Sequence, residues 1–151
     1  MQLKYLPSFV KRRGRITKRQ SKALEQLDNF LVTDVDDISE ALKNYSSCHL
    51  EIGFGNAKHL CKEAKLNKDT LYVGSEVYLS GIGSLLASII EEGIQNIRIY
   101  DQDIRLLLDN KPKEVFDKVV IICPDPWPKE KHHKRRFCLL YTSPSPRDQE
   151  A

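Results

Sequence analysis

Leu50-Glu51-Ile52-Gly53-Phe54-Gly55-Asn56-Ala57 is the stretch on which the reading of the fold turns. It reads as a strand running into a glycine-rich turn and then a helix. The glycines permit positive φ and a close approach of backbone to a ligand. From His49 onward the chain alternates between two kinds of segment. Strands are expected at residues 49–54, 71–76, 97–101 and 117–123, and helices near 56–66 and 79–92, with a short one near 103–109. Repeated βα units imply an α/β fold: a parallel sheet with helices on both faces, joined by right-handed connections.

Upstream of this region the pattern is helical. Thr17 and Gln20 fit a capping box, with Thr at the N-cap and Gln at N3, and Ala23, Leu24, Leu27, Phe30 and Leu31 follow at helical spacing. A basic arm, residues 1–22, therefore leads into a short amphipathic helix. A second helix is expected around Ile38, Ala41, Leu42 and Tyr45, its start marked by Asp34, Asp36 and Asp37. At the other end, residues 139–151 have no periodicity and contain two Ser-Pro steps. They read as an unstructured tail foreign in composition to what precedes them.

The chain has 151 residues, 40% hydrophobic and 30% charged, which suits one soluble domain. No segment approaches the roughly 20 apolar residues of a membrane span, and the N-terminus lacks the apolar centre of a signal peptide, so a cytoplasmic, membrane-free protein is expected. Cys48, Cys61, Cys123 and Cys138 are too scattered for a metal knuckle and too few for a disulfide scaffold, and His132-His133 does not suit zinc; no metal is expected. The net charge of +3 conceals an asymmetry. Residues 1–22 carry eight Lys or Arg and no acid, residues 23–127 carry ten basic and eighteen acidic residues, and residues 129–136 carry five basic and one acidic. Two cationic patches flanking an acidic body suit a polyanionic partner, RNA or DNA.

The second of those patches follows Pro124-Asp125-Pro126-Trp127-Pro128-Lys129. The apolar, β-branched run Val119-Val120-Ile121-Ile122-Cys123 reads as a buried parallel strand, which puts Asp125 at its carboxyl end, where open α/β sheets bind ligands. Each proline fixes φ near −65° and biases the preceding residue toward extended backbone, so the loop is stiff enough to aim Asp125 and Trp127.

The glycine turn fits a dinucleotide fingerprint poorly, because Lys58 stands where a third small residue is needed. The shorter G-x-G-x-A spacing of Gly53, Gly55 and Ala57, with Glu51 ahead of it, resembles motif I of S-adenosylmethionine-dependent methyltransferases. That cofactor presents a sulfonium, an ammonium and a ribose diol, all suited to acidic residues. Glu51 is expected to face the ammonium end, Glu76 to accept from both ribose hydroxyls, and Asp103 to accept from the adenine amino group.

Four islands resemble one family, the bacterial tRNA (guanine-N7-)-methyltransferases: the arm Ser8 to Thr17, the turn Glu51-Ile52-Gly53-Phe54-Gly55, the strand end Gly74-Ser75-Glu76-Val77, and Pro124 to Lys129 with His132-His133-Lys134-Arg135-Arg136. The resemblance covers about residues 5–138 and implies a Rossmann-like class I methyltransferase fold whose parallel sheet is incomplete. Residues 23–138 would form the N-terminal part of the methyltransferase domain. It also implies S-adenosylmethionine as cofactor, tRNA as partner and methyl transfer to N7 of a variable-loop guanine. Glu51, Glu76, Asp103 and Asp125 would serve the cofactor, and Asp125 would also be catalytic. Lys129, Lys131, Lys134, Arg135 and Arg136 would hold tRNA at one end of the chain, and Arg12, Arg13 and Arg15 at the other. The family usually has glycine where Ala57 stands. Two alternatives remain at this level: a non-catalytic RNA-binding module on the same fold, and an exocyclic-amino methyltransferase. Because the resemblance stops near residue 138, the chain is expected to be a C-terminally truncated fragment that leaves its last strand as an edge and transfers no methyl groups to tRNA.

Overall fold

A computed structural model describes residues 15–54, 57–109 and 115–121. The N-terminal helix α1, Lys18–Leu24, starts where the capping box sets it. Gln20 N–H donates to Thr17 Oγ1 at 3.1 Å, and Thr17 N–H donates to Gln20 Oε1 at 3.0 Å, which satisfies two of the donors a helix start leaves unpaired. Helix α2, Val35–Leu42, is capped by Asp34, whose carboxylate accepts from Asp37 N–H at 2.8 Å.

The chain then alternates as β1 Ser47–Ile52, α3 Lys58–Leu66, β2 Thr70–Ser75, α4 Leu79–Glu92, β3 Ile97–Tyr100, α5 Ile104–Leu108 and β4 Lys118–Ile121. Every strand pair is parallel and the sheet order is β3-β2-β1-β4. The alternating pleat sends side chains to two separate cores. On one face α1, α3 and α4 bury Leu60, Ala64, Ile82 and Leu86 with Ile97 and Ile99 of β3. On the other, α2 and α5 bury Ile38, Ile104 and Leu107 with Leu50, Leu71 and Val73 of β1 and β2.

The close packing of α1 on α4 depends on Gly83. A Cβ there would stand 2.8 Å from Gln20 Cβ and 3.2 Å from Gln20 O, so the helices can touch only where α4 has no side chain. At the amino end of the strands, Asn96 Nδ2 lies 3.0, 3.0 and 2.9 Å from the carbonyls of Ala64, Asn67 and Thr70, tying the end of α3 to the start of β2.

The two sheet edges differ. Along β3, Ile99 N–H donates to Phe30 O at 2.8 Å and Val32 N–H donates to Ile99 O at 2.9 Å, so the segment after α1 covers that edge. Strand β4 pairs with β1 alone among the described residues, and all four of its residues are half-buried. Over Lys118–Ile121 the strand read as buried is thus half-exposed, and among the described residues it is the edge that was expected of the last strand. No helix among the described residues is long and apolar enough to cross a membrane. Cys48 and Cys61 are free and buried, and burial pushes their thiols up to about 12 and about 11.

Candidate active site

Sheet register gathers the acidic residues. Ile52 pairs with Ser75 and with Ile121, and Ser75 pairs with Tyr100, so all four strands end at one level. Glu51 therefore lies just inside that rim on β1, Glu76 one residue past β2, and Asp101 and Asp103 just past β3. Sequence separations of about 25 residues collapse to neighbouring strand ends. Asp125 is four residues beyond Ile121 in sequence. Asp125, Gly55, Trp127, Lys129, Lys131, Lys134, Arg135, Arg136, Arg12 and Arg13 lie outside the described residues; Arg15 is described and exposed.

At Gly53 the turn after β1 has the positive φ expected of it, while Gly55 lies outside the described residues. Gly53 has φ 72°, and its N–H donates to Ser75 O at 2.9 Å, fixing the turn to the end of β2. Ala57, the N-cap of α3, has φ 66°, a left-handed conformation that a residue with a Cβ adopts at a cost. That is a physical reason for glycine at this position.

Each acid is held differently. Glu51 is 4% exposed. Its Oε1 lies 2.5 Å from His59 Nδ1, while Oε2 is enclosed with no hydrogen-bond partner. Desolvation pushes its carboxyl pKa up, and the His59 bond opposes that shift. Glu76 is half-buried, and its Oε1 accepts from the N–H groups of Val77 at 3.1 Å and Tyr78 at 3.3 Å, where the chain turns into α4. Asp103 caps α5. Its Oδ1 accepts from Arg105 N–H and Nε–H, each at 3.0 Å, and its Oδ2 from Nη2–H at 2.7 Å.

Two residues of this neighbourhood were not legible in the sequence. Arg105 is fully buried and fixes the orientation of Asp103; in sequence it is one basic residue inside an apolar helix, with only its i+2 spacing from Asp103 as a hint. His59 looks like an ordinary polar residue of an amphipathic helix until β1 is laid beneath it. Among the described residues no group of three or more His, Cys, Asp or Glu could hold a metal ion.

Sheet order, the turn after β1 and the acidic rim define a Rossmann-like methyltransferase fold. The chain superposes with a TM-score of 0.52 on the 30S ribosomal A1408 methyltransferase from an uncultured bacterium, at 22% identity over 62% of this chain and 45% of that one, a likeness of fold. A family model described as "Putative methyltransferase" matches residues 45–141, and the chain belongs to that family. Among curated relatives, the tRNA (guanine-N(7)-)-methyltransferase of Neorickettsia sennetsu is 42% identical over 134 residues, covering 88% of this chain and 58% of the relative. That of Pseudoalteromonas atlantica is 38% identical over 142 residues, covering 89% and 59%. The chain thus spans just under three fifths of the length of the relatives it matches.

Proposed function

We propose that this chain provides the S-adenosylmethionine-binding part of a tRNA (guanine-N7-)-methyltransferase acting in the cytoplasm. The observation that carries the reading is the acidic rim. Three carboxylates stand at the carboxyl ends of three successive parallel strands, and one of them, Glu51, keeps a buried oxygen without a donor. A buried carboxylate oxygen of that kind calls for a partner with N–H groups, and the ammonium of the cofactor's methionine moiety is such a partner. Glu76, with one oxygen fixed by backbone N–H groups, is oriented for the ribose hydroxyls. In this reading Asp103, held by Arg105, serves the adenine end. The names of the relatives support tRNA as substrate, as do the basic arm and the basic run after Pro128.

When bound, S-adenosylmethionine supplies an electrophilic sulfonium methyl for in-line attack by guanine N7. N7 carries no proton, so the residues of this chain need only position and stabilise, which is where most of the acceleration would arise. In this reading Asp125 accepts from guanine N1–H and the exocyclic amino group, orienting N7. The Lys and Arg residues, including Arg15, Lys129 and Lys131, hold phosphates. Calorimetric titration of the chain with S-adenosylmethionine tests the cofactor half, and saturable binding is expected. Transfer of a tritiated methyl group to tRNA by the protein carrying this chain, with the modified atom mapped, tests the rest. Label on an exocyclic amino group, or tRNA binding without transfer, would overturn the N7 assignment.

A further inference from the structure

We propose that His59 is a positioning residue for the cofactor's ammonium group: it holds Glu51 by one oxygen so that the other is presented to that group. The inference rests on the reading of Glu51 given above and extends it to a residue outside the acidic rim.

The geometry is asymmetric in an informative way. His59 Nδ1 engages Glu51 Oε1, and Oε2 is enclosed with no partner. A carboxylate that served only as the anchor of a helix would have both oxygens satisfied once it was this deeply buried. The imidazole is itself oriented from its far side, where Nε2 lies 3.8 Å from Glu63 Oε1, one turn along α3. The ring therefore sits between two carboxylates, one with 5% and one with 37% of its side chain exposed.

The surroundings supply the reason for such an anchor. A cavity of about 170 Å³ lies against Glu51 and His59, lined also by His49, Glu63, Tyr72 and Lys118. Lys118 and His49 occupy neighbouring strand positions of the same face as Glu51, and the bond to His59 fixes which way the Glu51 carboxylate is turned against this cavity. The His59 side chain is 55% exposed, so it contributes little to the core, and its bond to Glu51 is the most evident consequence of its placement.

The test uses calorimetry on the chain with two ligands: S-adenosylmethionine, and 5′-methylthioadenosine, which shares its nucleoside and sulfur but lacks the ammonium. His59→Ala is expected to weaken S-adenosylmethionine binding about tenfold, the scale of one hydrogen bond to a charged group, and to leave 5′-methylthioadenosine binding unchanged. His59→Asn, whose amide N–H can stand in for Nδ1–H, is expected to recover most of the loss. In the unaltered chain the His59 Nδ1 resonance should shift on saturation with S-adenosylmethionine and not with 5′-methylthioadenosine. Unchanged S-adenosylmethionine affinity in His59→Ala, or an equal loss for both ligands, would overturn the role of His59 while leaving the cofactor reading intact. Failure of the unaltered chain to bind S-adenosylmethionine would overturn both.

Discussion

Glu51 shows how a residue proposed to bind the cofactor can act against stability. Burial raises its carboxyl pKa above the ordinary range, first through desolvation, with the His59 bond acting the other way. A raised pKa in the folded state means that the ionised form is disfavoured there. The cost is absent while the carboxyl is protonated in both states, and it appears as pH rises through the folded pKa. Glu51→Gln is therefore expected to raise the melting temperature at pH 8 by more than at pH 4 while weakening S-adenosylmethionine binding; equal shifts at the two pH values would remove the desolvation argument. Glu76 makes the complementary case. Glu76→Ala should lower cofactor affinity by about tenfold or more, as two ribose hydroxyls lose a charged acceptor, and an unchanged dissociation constant in calorimetry would sink that assignment. At Ala57, with φ 66°, the constraint is backbone geometry. Ala57→Val should cost more than about 2 kcal/mol, because a β-branched residue tolerates left-handed φ poorly. Ala57→Gly should stay within about 1 kcal/mol of neutral, relief of strain being offset by unfolded-state entropy and the absence of a buried methyl. Denaturant melts of the two variants measure both.

Among the secondary-structure elements, interactions that hold one piece to another decide where the site residues stand. Gly83 weakens α4 as an isolated helix by about 1 kcal/mol relative to alanine, yet it leaves room for Gln20 of α1. Gly83→Leu is expected to displace α1 and expose the apolar residues Ala23 and Leu86, visible as a lower melting temperature and faster amide exchange over Lys18–Leu24. Asn96 acts at the opposite end of the sheet from the acids. One amide nitrogen faces three carbonyls from α3, the following loop and β2. Asn96→Ala leaves those buried acceptors short of donors and should cost about 2–4 kcal/mol. A loss below about 1 kcal/mol in urea unfolding would mean that water replaces the amide at no cost.

For the molecule as a whole, charge and sheet edges dominate. The acidic rim would repel phosphate, so the basic segments on either side of it in sequence must supply polyanion binding in this reading. Replacing Arg12, Arg13 and Arg15 together should leave S-adenosylmethionine affinity intact and flatten the salt dependence of tRNA binding, because each phosphate deprived of its cationic partner lowers the slope by close to one unit. An unchanged slope would make the arm a bystander. The segment after α1 covers the β3 edge, while β4 is half-buried and pairs with β1 alone among the described residues.

The βα alternation was legible from residue patterns alone, because strand runs, the glycine turn and the Thr17–Gln20 box are local signals whose physics is local. Over the described residues all four expected strands, the two long expected helices and the short α5 occur within a few residues of their expected limits; Asn56, Ile122 and Cys123 lie outside them. The acids at strand ends were likewise readable, since a strand assignment fixes which residues follow it. Pairings across the chain were not readable. His59 meets Glu51 only because α3 folds back over β1, Asn96 finds three carbonyls only because β2 and β3 pair in register, and Gly83 matters only because α1 lies on α4. The half-exposed state of β4 also belongs to the tertiary structure, since Val119 and Ile121 are apolar whether or not a neighbour covers them. Sequence determined the elements and the chemical type of the rim, because backbone propensity and side-chain chemistry are carried by each residue. Packing decided which oxygen of Glu51 is anchored and which has no partner, because burial and hydrogen bonding depend on neighbours that the chain supplies only when it is folded.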